Sequence, residues 1–170
     1  MTWTGRAAAV AQDLALGLLA GGIAGAALCA TVLFQAAPSR EVAGDVGNAI
    51  FRPLGLAAFA LSLVLLAARW VLRLQRPASL PGTPPAPSLI LPLAACLLSG
   101  TLAFYVTPVM TALWESAPHD PSGGGLMGED RSRFMRLHGL GNLLYLSLLT
   151  LSAAGIAAGA LRRTRPSNPD

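Results

Sequence analysis

The sequence predicts an all-α integral membrane protein, an antiparallel bundle of four transmembrane helices. Three observations carry that expectation. First, the 170 residues are 54% hydrophobic and only 12% charged, with a mean hydropathy of +0.58. A soluble domain carries roughly 25% charged residues, so a water-facing surface would need about twice the charge available here. Second, four stretches of about 20 residues, the length that crosses a hydrocarbon core of about 30 Å as helix, are almost free of charge. Third, nearly all charged residues fall between and outside those stretches. The composition also excludes a disordered chain, which would be polar. The net charge of +4 suits basic segments flanking membrane spans, so the expected partner is the lipid bilayer and not nucleic acid.

The chain reads as one domain over residues 1–170. The first span, 14–34, has an apolar run longer than the roughly 7–15 residues of a signal-peptide core, so it reads as an uncleaved helix. Residues 35–52, with Pro38, Arg40, Glu41 and Asp45, read as a connection. The second span, 53–74, is uncharged from Pro53 to Ala68 and continues past Arg69 to Leu74, with Arg69 and Arg73 snorkelling to the interface. Residues 75–88 (QRPASLPGTPPAPS) are too proline-rich for helix and read as a cytoplasmic loop. The third span is 89–109. A long outer loop, 110–136, follows, with a DPSGGG run at 120–125, and Trp114 reads as an interfacial anchor. The fourth span is 137–161, and 162–170 form a basic cytoplasmic tail. The backbone of each span must bond internally in hydrocarbon, which makes all four helical.

Placing the charges by side gives an orientation. Arg6, Arg69, Arg73, Arg76, Arg162, Arg163 and Arg165 share one side with Asp13 and Asp170. Arg40, Arg52, Arg131, Arg133 and Arg136 share the other with the remaining acids. The arginine bias puts both termini in the cytoplasm, for a multi-pass protein of a bacterial inner membrane.

Gly17, Gly21 and Gly25 are spaced by four and share one helix face; Gly139, Gly155 and Gly159 lie along the fourth span. Small residues let helix backbones approach closely. The expectation is packing within the bundle, and the alternative is a homo-oligomer or a neighbouring membrane protein. The two halves of the chain also show a weak repeat. Phe34 and Phe104 are each followed four residues later by proline, and Phe51 and Phe134 each open a later span.

His138, Asn142, Tyr145 and Ser152 fall at helical spacing and form a polar seam on the fourth span, with Arg136 just before it. Polar side chains within a span usually face the bundle interior or a watery pocket, so the seam is the main candidate site. Both histidines and three methionines (Met110, His119, Met127, Met135 and His138) cluster on the outer side. Thioether and imidazole suit copper(I), which makes these five the metal candidates, although their spacing imposes no geometry. Only His138 lies in a span, which argues against a bis-histidine haem. Cys29 and Cys96 form no CxxC pair. No cofactor is predicted. No nucleophile has a partnered base, and no carboxylate lies within a span, so the chain reads as non-enzymatic.

The run from Arg133 to Leu144 (RFMRLHGLGNLL) resembles the opening of the last helix in the transmembrane-protein-205-like family, whose bacterial members include a domain of unknown function, DUF4149. Ser39 to Gly44, then Ile50 and Phe51, and Thr107 with Pro108 are similar too. The resemblance spans residues 14–160, and the longer third loop departs from it. It implies a four-helix membrane protein, raises Arg136, His138, Gly139 and Asn142 over other polar positions, and implies little chemistry. The expected role is small-solute transport or membrane homeostasis. The alternatives are outer-face copper handling and a redox or haem-associated subunit.

Overall fold

The computed structural model describes residues 2–75, 88–120 and 125–163. Most of the proline-rich segment, residues 121–124 of the glycine-rich run and the tail beyond 163 lie outside the described residues. Four long helices carry the fold: α1 (Trp3–Ala36), α2 (Arg40–Leu74), α3 (Ile90–Ser116) and α4 (Gly128–Arg163). No strand occurs among the described residues, only an isolated bridge between His119 and Leu126.

Each helix outruns its apolar span, and local chemistry explains where it starts and stops. Thr2 caps α1 by accepting the Gly5 N–H. Ala37 is extended because Pro38 follows it, and α1 ends there. Ser39 then caps α2, accepting the Val42 N–H at 3.2 Å, with Glu41 favourably placed in the first turn. Residues 40–52 are therefore helix and not the expected connection, and Pro53 sits inside α2. α3 likewise continues past 109 to Ser116, ending where Ala117 precedes Pro118. The expected outer loop of 110–136 shrinks to residues 117–127. Gly128, with φ +56°, supplies the left-handed turn from which α4 rises.

The repeated Phe–Pro spacing has two different outcomes. Pro38 terminates α1, whereas Pro108 lies inside α3. A π-helical segment at Leu102–Val106 carries α3 past it, with the Thr107 N–H bonded to the Leu102 carbonyl five residues back. Proline collides with the carbonyl four residues before it, here that of Phe104, and the wider turn relieves that clash.

The helices form an antiparallel ring in the order α1, α2, α3, α4. α4 closes on α1, and across one diagonal α2 and α4 meet through the Phe51 and Tyr145 rings. Ile23, Ala95, Leu102, Val106, Leu144 and Leu148 form the core, and Ala15, Leu16 and Leu65 form a second cluster nearer the chain termini. Within the apolar windows only 17–33% of residues are buried. Most of the apolar surface thus faces outward, as lipid as solvent requires. The chain is a multi-pass membrane protein with four helices able to span.

At one end, Gln75 of α2 receives a hydrogen bond from Thr2 at 2.9 Å and donates one to Thr4 at 2.6 Å, tying α2 to the start of α1. Midway, Ser99 Oγ lies 3.1 Å from Ser62 Oγ, and both are fully buried. The opposite end, here the His138 end, holds the cavities.

Among the glycines expected to pack, only Gly155 does so, with Leu16 methyls 3.1 Å from where a Cβ would stand. Gly17, Gly21, Gly25, Gly139 and Gly159 meet nothing within 4 Å. The reason on α1 is phase. Its buried residues include Ala15, Leu19 and Ile23. The glycines lie two positions on, about 200° around the helix.

Candidate functional site

The segments that extend beyond the apolar spans build the site. The end of α1, the first turns of α2, the last turns of α3, the first turns of α4 and Gly125 with Leu126 line an open cavity of about 520 Å³. Its apolar wall includes Phe34, Phe51, Met110, Trp114, Phe134 and Met135. Its polar groups are Arg40, Asn48, Arg131 and His138, and no carboxylate lines it among the described residues. The volume lies in the range of about 300–1,000 Å³ typical of small-molecule sites.

Trp114 organises the cavity. It is only 8% exposed, so it is a wall and not the interfacial anchor its sequence position suggested. Its indole Nε1 donates to Asp45 Oδ1 at 2.7 Å, fixing the end of α3 to α2. The ring lies over Gly44 so closely that a Cβ there would overlap it. Trp114 meets the His119 ring edge-on at 4.9 Å and the Phe134 ring at 5.6 Å. Phe134 in turn stacks on His138 at 6.3 Å. Over this cluster the connection folds back on itself, with Asp120 N–H bonded to Gly125 O and Met127 N–H to Pro118 O. It buries Leu126, and Gly125 adopts the φ of +86° that the reversal needs.

Two further spaces adjoin the cavity. A small one of about 60 Å³ lies deeper, between α2, α3 and α4, and shares Asn48, Phe51, Met110 and His138 with the first. A groove of about 360 Å³ between α1, α2 and α4 shares Phe34, Phe51 and His138. Asn142 and Tyr145 line both of these spaces. The Tyr145 ring packs at 6.1 Å from Phe51, and its hydroxyl is buried without a hydrogen-bond partner among the described residues.

The predicted seam is therefore divided. His138, Asn142 and Tyr145 come together at the cavities. Ser152 is buried apart from them and donates to the Leu148 carbonyl of its own helix. Arg136 is exposed, lines none of the three spaces and donates to the Ser132 carbonyl. Of the five metal candidates, Met110, Met135 and His138 share the main cavity, while His119 lies in the connection beside Trp114 and Met127 is half exposed outside it. No cluster of three or more His, Cys, Asp or Glu residues suited to a metal occurs among the described residues. Arg40, Asn48 and Arg131 were missed because they lie in segments read as loops.

The model of a family described as a domain of unknown function, DUF4149, matches residues 14–119, well over half of the chain. The chain belongs to that family. No curated protein and no solved structure matches it. The DUF4149 match covers α1 from Leu14, all of α2 and α3, and the Trp114–His119 pair. It stops before α4, which brings Arg131, Phe134, Met135 and His138 to the cavity.

Proposed function

We propose that this DUF4149 protein is a non-enzymatic protein of the bacterial inner membrane, with both termini cytoplasmic, that holds a small ligand at its His138 end. The role is solute handling or membrane homeostasis. One observation carries the reading: a mostly apolar cavity of about 520 Å³ with a few converging polar groups at the His138 end of the bundle. The Tyr145 hydroxyl, without a partner among the described residues, supports it, since a buried hydroxyl is costly unless something bonds it. The similarity of residues 133–144 to the transmembrane-protein-205-like family and the arginine bias support the membrane assignment and orientation.

Native mass spectrometry from mild detergent tests the reading. A small molecule should accompany the protein and be lost when Gly47→Phe fills the cavity, with an unfolding scan establishing that the variant folds. Absence of any co-purifying or titratable ligand refutes it. A reporter fused after Asp170 should signal from the cytoplasm; a periplasmic signal overturns the orientation.

A second reading, copper(I) handling, has one observation behind it: Met110, Met135 and His138 line the same cavity. Copper(I) should then bind tightly and lose affinity on Met135→Ala and His138→Ala. No binding removes this reading.

A further inference from the structure

We propose that the ligand is an anionic lipid, its headgroup in the main cavity against Arg40 and Arg131 and its acyl chain along the groove between α1 and α4. The inference rests on the cavity reading above and specifies the occupant by charge and shape.

The charge is one-sided. The end of the bundle is rich in acids, yet none of them lines the cavity among the described residues, whereas two arginines do. Asp45 of α2 is engaged by the Trp114 indole. Neither Arg40 nor Arg131 forms an ion pair among the described residues. Guanidinium groups bind phosphate and carboxylate oxygens in a bidentate fork, and both arginines are exposed and so within reach of such a group.

The shape is that of an amphiphile. A freely diffusing anion would need only the two arginines of the main cavity. Here that cavity shares Phe34, Phe51 and His138 with a groove that is mostly apolar, its other walls including Ile23, Leu54, Leu146 and Leu149. Every buried residue of α1 lies at or before Ile23. Beyond it the inward side carries Ala26, Ala27 and Ala30, too short to reach α4. An acyl chain entering sideways from the bilayer would fill that slot, with its charged group left at the level of the arginines. Asn142 and Tyr145, at the junction, offer hydrogen bonds to the ester or carboxyl region, which gives the Tyr145 hydroxyl a partner.

Trp114 is a built-in reporter, because the other two tryptophans, Trp3 and Trp70, are exposed on the surface, with Trp3 at the opposite end of α1. The full chain carrying Trp3→Phe and Trp70→Phe is reconstituted in vesicles containing a minor fraction of brominated phosphatidylglycerol or brominated phosphatidylcholine. The brominated anionic lipid should quench Trp114 preferentially. Arg40→Gln with Arg131→Gln should lower that preference about tenfold, the ratio set by about 1.4 kcal/mol of lost contact. Arg52→Gln with Arg133→Gln, an equal charge change at the same end but outside the cavity, should leave it intact. Equal quenching by both lipids overturns the headgroup assignment while leaving a cavity that binds a neutral ligand. Equal loss with either arginine pair means surface attraction and overturns the site. Displacement of the lipid by inorganic phosphate alone overturns the acyl-chain half. Quenching by neither lipid overturns the lipid, and native mass spectrometry then decides separately whether the cavity holds anything.

Discussion

Gly44→Ala tests whether the closeness of α2 and α3 at Trp114 holds the cavity together. A Cβ at position 44 would overlap the indole ring, so the ring or the helix must move. Overpacking of this kind costs about 1–3 kcal/mol. If the ring swings away, the bond from Nε1 to Asp45 is lost as well, and a bond to a charged group is worth about 1.5–3 kcal/mol. Asp45 is exposed, so water recovers much of that second cost. Replacing a helical glycine returns about 0.5–1 kcal/mol. The net is a loss of about 2 kcal/mol, which lowers the midpoint of a chain of this size by about 4–8 °C. Gly47→Ala is the matched control: it lies one turn on in the same helix, with nothing within 4 Å of its Cβ position. It should raise the midpoint slightly. Thermal unfolding in detergent, followed by size-exclusion peak height and by tryptophan emission, measures both. In the double variant Gly44→Ala with Trp114→Leu, the penalty of the glycine change should largely vanish. Equal midpoints for the two alanine variants, or an undiminished penalty in the double variant, would refute the reasoning.

Other perturbations have clear expected outcomes. Gly155→Leu should destabilise by about 1–3 kcal/mol, because Leu16 already stands 3.1 Å from the Cβ position, whereas Gly21→Leu should leave the midpoint of the monomer unchanged. Ser99→Ala should cost less than about 1 kcal/mol, since interhelical hydrogen bonds in membranes average about 0.6 kcal/mol. Its hydroxyl also lies 2.6 Å from the Ala95 carbonyl and Ser62's lies 2.8 Å from that of Ala58, so each keeps or leaves behind a local bond. Tyr145→Phe should leave the midpoint of ligand-free protein unchanged or raise it, because the hydroxyl bonds no side chain or backbone group among the described residues. The same change should weaken ligand retention in native mass spectrometry. A clear fall in the ligand-free midpoint would mean that the hydroxyl is bonded within the protein.

The four helices were legible because hydropathy over about 20 residues is a strong, one-dimensional signal. What the cavity needed was not. Residues 40–52 and 128–136 are short amphipathic extensions with charges and glycines, and their helical character depends on the Ser39 cap and on docking against α3. Read as loops, they hid Arg40, Asn48 and Arg131. Helical spacing put His138, Asn142 and Tyr145 on one face, and they line adjoining spaces, but it also placed Ser152 with them, because periodicity ignores depth. Gly17, Gly21 and Gly25 show a related limit. Their spacing establishes a common face, while the direction of that face depends on Ala15, Leu19 and Ile23 packing inward. Trp114 looked like any tryptophan near a membrane surface, and only Gly44, 70 residues earlier in the chain, reveals the slot it fills.

The π turn at Leu102–Val106 works as an indexing step. It adds one residue to a helical turn, so everything after it is rotated by about 100° relative to an uninterrupted α-helix. α3 thus behaves as two helical segments set out of phase. The lower segment presents Ala95 and Ser99 to the core, and the upper one aims Met110 and Trp114 at the cavity. Deleting a single residue there would leave the core half of the helix in place and turn the cavity half away from its partners. The two halves can therefore vary separately: membrane packing can change below the step, and ligand choice above it, without either resetting the other.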